Sequence, residues 1–119
     1  MAANSSSSSG NFASALITLG PDLKLKGEEN WESWKPAIIR ALENTKLAYF
    51  IEAGAEDNIP KKVSKYDTSA TEDEVNRWLD WSAEDSTVRT IIVNNCKEIP
   101  RRVAEQCTTA RAMWLALET

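Results

Sequence analysis

The side chains here that could do chemistry are carboxylates, hydroxyls and two thiols, because the sequence has no histidine. Without an imidazole, Ser–His and Cys–His nucleophilic schemes lack their base, and zinc sites with a histidine ligand are excluded. Asp67-Thr68-Ser69 sets a carboxylate beside two hydroxyls. Hydrolysis by a proton-sharing carboxylate pair needs two such carboxylates on loops between β-strands, and the flanks of Asp67 are polar, turn-rich and not strand-like. The string reads as a chance match. Glu72, Asp73 and Glu74 read as first-turn residues at the positive end of a helix dipole, and Glu84-Asp85 as a solvated face; neither supplies a metal-binding loop. Cys96 and Cys107 are too few for a disulfide scaffold or a zinc site of about four ligands, and they read as small buried hydrophobes. Ser82 and Ser86 read as close-approach positions for a packing helix rather than as nucleophiles. The expectation is therefore a non-enzyme with no catalytic residue, no metal and no cofactor.

Composition bounds the partners. The 119 residues carry Lys+Arg 14 against Asp+Glu 18, a net charge of −4, which argues against a dedicated nucleic-acid binder, since phosphate neutralisation needs a basic surface. No apolar run approaches the roughly 20 residues of a membrane span. No secretory h-region follows the serine run Ser5–Ser9, so the reading is a reducing, intracellular compartment.

These residues must be positioned by helices. The stretch 1–22 is rich in serine and reads as a flexible tail, although Phe12, Ala15, Leu16, Ile17 and Leu19 could dock on the body as a helical turn or a strand. From Asn30, the residues Trp31, Trp34, Ile38, Ala41, Leu42, Thr45 and Tyr49 share one side of a helix, opposite Glu32, Lys35, Pro36, Arg40 and Glu43. Pro36 faces solvent, either in the first turn of a helix starting near Ser33 or at a bend. Residues 47–51 extend this helix or form a second short one, and Gly54 is a natural stop. Polar, aperiodic residues from Gly54 to Ala70 form a long loop.

Thr71 and Glu74 then form a capping box that opens a helix. In it Val75, Leu79, Ser82, Ser86 and Val93 share one face and Trp81, Val88 and Ile92 another, with Trp78 between, so it is expected to be the central, most buried helix, ending at Asn94-Asn95. Pro100 suits a first helical position, with Val103, Ala104 and Cys107 on one apolar face. Thr108 or Thr109 caps a last helix in which Ala110, Met113, Trp114 and Leu117 face inward and Arg111 and Glu118 outward.

Charge is uneven along the chain. Glu72, Asp73, Glu74, Asp80, Glu84 and Asp85 outweigh Arg77, whereas Arg89, Lys97, Arg101, Arg102 and Arg111 outweigh Glu98 and Glu105. Two opposed patches on one small domain suit head-to-tail self-association. Lys61, Lys62 and Lys65 in the loop could contact phosphate. Five tryptophans serve first as packing anchors, and a partly exposed one could anchor a subunit contact.

Leu25-Lys26-Gly27 followed by Asn30-Trp31-Glu32-Ser33-Trp34-Lys35 resembles the opening L-x-G-x-x-N-W/Y-x-x-W of the Gag polyproteins of copia-type LTR retrotransposons. Trp81, Asp85, Arg89 and Ile92 resemble their middle helix, and Thr109-Ala110-x-x-x-Trp114-x-x-Leu117 resembles their T-A-x-x-x-W-x-x-L signature. The motifs fall in the family's order over about residues 23–119. The resemblance implies the N-terminal, capsid-like part of Gag, which polymerises into cytoplasmic virus-like particles around element RNA. Such chains normally continue into a second helical capsid domain, often followed by a zinc knuckle. This sequence stops at Thr119 without either, so an excised piece and a shortened or domesticated descendant both stay open.

The expected fold is all-α, a compact bundle of about five helices with orthogonal, capsid-like packing, comprising a tail over 1–22 and one domain over 23–119. Its expected core is Trp31, Trp34, Ile38, Leu42, Trp78, Leu79, Trp81, Ile92, Trp114 and Leu117. Lys61, Lys62, Lys65, Arg101, Arg102 and Arg111 are the expected assembly or RNA contacts. The expected partners are further copies or full-length Gag, with weak, non-specific RNA at most and no membrane. The alternative is a helical protein-interaction module that modulates Gag assembly.

Overall fold

A computed structural model describes residues 18–118 apart from Lys65. The tail expectation for residues 1–17, including the docking of Phe12, Ala15, Leu16 and Ile17, lies outside the described residues, as does Lys65. The described residues form four α-helices: α1 (Trp31–Asn44), α2 (Glu72–Asn94), α3 (Glu98–Glu105) and α4 (Ala110–Glu118). Single-turn 3-10 segments stand at Pro21–Leu23, Glu28–Asn30, Ala48–Phe50 and Ala55–Asn58. The described residues contain no strand, only an isolated parallel bridge between Leu25 and Cys96. The fold is thus all-α, with four α-helices rather than about five.

The count falls short because α1 ends sharply. The Lys46 amide donates to Glu43 O at 3.0 Å and the Leu47 amide to Leu42 O at 2.8 Å, with Lys46 at φ 64°. This is a Schellman closure, which turns the chain out of the helix, so 47–51 settles as a 3-10 turn. Tyr49, expected on the α1 face, therefore lies beyond the helix and is half exposed. Pro36 is the sixth residue of α1, not a first-turn residue. It faces solvent, so water can satisfy the Glu32 carbonyl that loses its amide donor.

The predicted capping box forms. Thr71 Oγ1 accepts from the Glu74 amide at 3.1 Å, and Glu74 Oε1 accepts from the Thr71 amide at 2.8 Å. The helix it opens is not buried throughout, however. Only Asp85, Val88, Ile91 and Ile92 are buried, all in the second half of α2, where α3 and α4 pack. Leu79, expected in the core, is 51% exposed. Ser86 is also exposed, so among the described residues no helix takes the close approach expected there.

The core joins Trp34, Ile38 and Leu42 of α1 to Val88, Ile91 and Ile92 of α2 and to Ala104, Ala110, Met113 and Trp114 of the last two helices. Full burial of each large side chain stabilises by about 1.5–3 kcal/mol. Trp31, Trp81 and Leu117 pack on this core but are only partly buried, and Trp78 stacks on Trp81 with ring centroids 5.5 Å apart. Leu25, Phe50, Ile51 and Cys96 complete the core.

Asn95, fully buried, ties the N-terminal segment to α2. Its carbonyl accepts from the Trp34 indole at 2.8 Å and from the Leu25 amide at 2.9 Å. Its side chain accepts from the Leu19 amide at 2.7 Å and donates to Ile91 O at 2.8 Å. A buried amide with these partners avoids the desolvation penalty that an orphaned polar group would carry.

Candidate assembly surface

Two joints bring the motif residues together. In the first, Trp31 lies 5.6 Å from Trp34 and 5.5 Å from Trp114, and Trp34 lies 5.8 Å from Trp114, measured between ring centroids. Helical spacing puts Trp31 and Trp34 on one side of α1, and Trp114, in the second turn of α4, closes the triangle. In the second joint, Asp85 Oδ1 accepts from the Ala110 amide at 2.9 Å and Asp85 Oδ2 accepts from Arg89 Nε at 2.8 Å. Asp85 is 2% exposed, which corrects its reading as part of a solvated face. The carboxylate occupies the positive end of the α4 dipole, where a buried charge is compensated. Thr109 Oγ1 accepts from the Ala112 amide at 3.1 Å, so of the two threonines expected to cap α4 it is Thr109 that does so.

The expected contact residues divide. Lys61 and Lys62 are exposed on the loop before α2. Lys61 sits close enough to Asp67 and Glu74 to help hold both carboxyls low, after the larger effects of hydrogen bonds from Ser69 and Thr71 respectively. Arg102 is exposed, and Arg101 pairs with Glu105 at 3.2 Å across one turn. Arg111 does not point outward: its side chain is 14% exposed, pairs with Glu56 at 3.0 Å and donates to Ile51 O at 2.7 Å. It fastens α4 to the turn after α1 and is removed from the contact list. Pro100 is buried as the third residue of α3, not the first.

Asp67 is an exposed turn residue whose Oδ1 accepts from the amide and hydroxyl of Ser69, at 2.9 and 2.6 Å. Cys96 is buried, and desolvation pushes its thiol up to about 12, away from nucleophilic chemistry at neutral pH. Cys107 is half-buried and donates to Val103 O at 3.5 Å. Among the described residues no cluster of His, Cys, Asp or Glu could hold a metal ion, and no helix is long and apolar enough to cross a membrane.

No family model, curated protein or solved structure matches this chain. Its site must be read from its own surface.

That surface carries exposed apolar side chains at Leu79 on α2 and Ile99 on α3. A cleft of about 300 Å³ runs beside the first half of α2, walled by Trp78, Trp81 and Ser82 with Ile59 and Thr109 opposite. A second, of about 240 Å³, runs beside the second half between Ser86, Thr90, Val93, Cys107 and Met113. Arg89 borders both. The bridge at Leu25 and Cys96 adds cations that the sequence reading missed, because it brings Lys24 and Lys26 alongside Lys97. Nothing in the spacing of residues 24 and 97 signals that contact.

Proposed function

We propose that this chain is a non-enzymatic structural domain of the Gag type, which associates with its own kind into cytoplasmic virus-like particles around retrotransposon RNA. The observation that supports this reading most is the interlocking of the motif residues. Trp31 and Trp34 from the first motif meet Trp114 of the third, and Asp85 of the second holds the Ala110 amide of the third. Motifs that match by chance have no reason to meet at two joints of one core. The exposed α2 side chains and clefts give such a domain a surface for neighbours, while a net charge of −4 leaves RNA binding weak and non-specific.

Sedimentation velocity across salt and protein concentration tests it. The expected result is reversible self-association that weakens with salt, since exposed charges are screened beyond about 8–10 Å at physiological ionic strength. Reversing Arg101 and Arg102 to glutamate is expected to weaken it, and reversing acidic residues of α2 in that background to restore it partly. Sub-micromolar, sequence-specific RNA binding at physiological salt would overturn the reading. So would a catalytic turnover that Asp67→Asn abolishes.

A further inference from the structure

We infer that the solvent-facing stripe of α2 is a two-fold contact, in which the α2 helices of two copies cross antiparallel beside Ser86. This rests on the reading of the chain as self-associating and names the surface through which it associates.

Val75, Leu79, Ser82, Ser86 and Val93 follow one another at helical spacing. In a chain standing alone this face would be expected to pack inward. Instead Leu79 and Ser86 are exposed, Val75 and Ser82 are half-buried, Val93 is half-buried where it packs against the core, and the fully buried residues of α2 lie on another side of the helix. A leucine held out at mid-surface between Val75 and Ser82 is a knob without a hole among the described residues.

The hole is on the same face. The cleft beside the second half of α2 is shallow and mixed in character, with Val93, Cys107 and Met113 as its apolar wall and Ser86, Arg89 and Glu105 among its polar lining. With a two-fold axis beside Ser86, residues equally spaced on either side of it face each other across the pair. Leu79, seven residues before Ser86, then meets the other copy's Val93, seven after it, and Ser82 meets Thr90. Each copy offers one knob and one cleft, which is the self-complementary arrangement an isologous contact requires. The serines at the crossing let the backbones approach closely.

Charge favours antiparallel over parallel crossing. The start of α2 carries Glu72, Asp73 and Glu74, all exposed, while the bridge at its far end gathers Lys24, Lys26 and Lys97, with Arg101 close to Cys96 and the carboxylates of Glu28, Glu29 and Glu98 nearby in the chain. This end is therefore close to neutral and lacks the net negative charge of the start. A parallel pair would set acidic start against acidic start. The antiparallel pair sets the acidic start of each copy toward the cation-bearing end of the other, twice by symmetry.

Sedimentation equilibrium on the whole chain, combined with cysteine cross-linking, tests the contact. Leu79→Lys is expected to weaken dimerisation by about tenfold or more. Its thermal midpoint should match the parent's, because the side chain is already in solvent. In a Cys107→Ser background, Ser86→Cys should be joined to its counterpart by a short bismaleimide, and Glu52→Cys, an exposed control away from α2, should not. A dimer that survives Leu79→Lys and gives no Ser86→Cys product overturns the α2 contact and leaves self-association standing. A chain that stays monomeric at every concentration, up to the millimolar range, overturns both.

Discussion

The Asp85 carboxylate lies 2.9 Å from the Ala110 amide, so a side chain in the middle of α2 caps the first residue of α4. Its other oxygen holds Arg89 at 2.8 Å, but the two partners are not equivalent. The Ala110 amide is buried, whereas the Arg89 side chain is one-third exposed and can return to water. Asp85→Ala is expected to cost about 3 kcal/mol, mostly from the stranded amide, and Arg89→Ala about 2 kcal/mol, because the buried carboxylate loses its counter-charge but keeps the Ala110 amide and the α4 dipole. Urea denaturation of both variants checks the order. Equal losses would mean that the ion pair, not the cap, is the larger contribution.

Trp114 forms one corner of the tryptophan triangle and is nearly inaccessible. Replacing it with alanine leaves a cavity against Trp31 and Trp34 and is expected to cost about 3–5 kcal/mol. For a domain of this size that lowers the midpoint by well over about 10 °C. Thermal unfolding followed by circular dichroism reads the effect, and an unchanged midpoint would contradict the packing at this joint.

Lys46 adopts a left-handed backbone at the end of α1, with φ 64°. An L-residue pays about 1 kcal/mol for that conformation, and glycine avoids it. Lys46→Gly is therefore expected to stabilise the protein by up to about 1 kcal/mol, an unusual sign for a substitution by glycine. A loss of stability in chemical denaturation would count against the Schellman geometry.

The Cys96 thiol is raised by desolvation to about 12 from the ordinary 9.0, and Arg101 offsets this only in part. Between those values the unfolded chain ionises its thiol while the folded chain keeps the proton. The unfolded state binds fewer protons there, so the stability linked to Cys96 is complete below about pH 9 and is lost as pH rises toward 12. Denaturant titrations from pH 8 to 11 should show a decline that Cys96→Ala reduces. At pH 8, Cys107 should react with a thiol reagent well before Cys96.

The all-α class, the capping box, the end of α2 and the inward face of α4 were legible because each rests on local spacing or local hydrogen bonds. Trp34, Ile38, Leu42, Ile92 and Trp114 took the burial expected of them. Leu79 and Asp85 exchanged roles, since periodicity identifies a face without saying whether this chain covers it. The polar residue Asp85 became buried because a distant amide at Ala110 needed an acceptor. Arg111 turned inward for the same kind of reason, to a carbonyl and a carboxylate some 55 to 60 residues earlier in the chain. Of the candidate surface, the acidic start of α2 and Arg101 and Arg102 were readable, while Lys24 and Lys26 joined it only through the bridge to Cys96.

That bridge, with the neighbouring Asn95 carbonyl, also orders how the chain assembles itself. The contacts among α2, α3 and α4 join helices that follow one another directly, so they close short loops and can form early. The bonds from Leu25 and Trp34 to Asn95 span 70 and 61 residues, across the whole of the long loop. The acceptor they need is the C-cap carbonyl of α2, which is free to accept only once that helix has stopped. Residues 19–44 are therefore expected to dock last, onto a three-helix nucleus, and to lose hydrogen-exchange protection first when the protein opens.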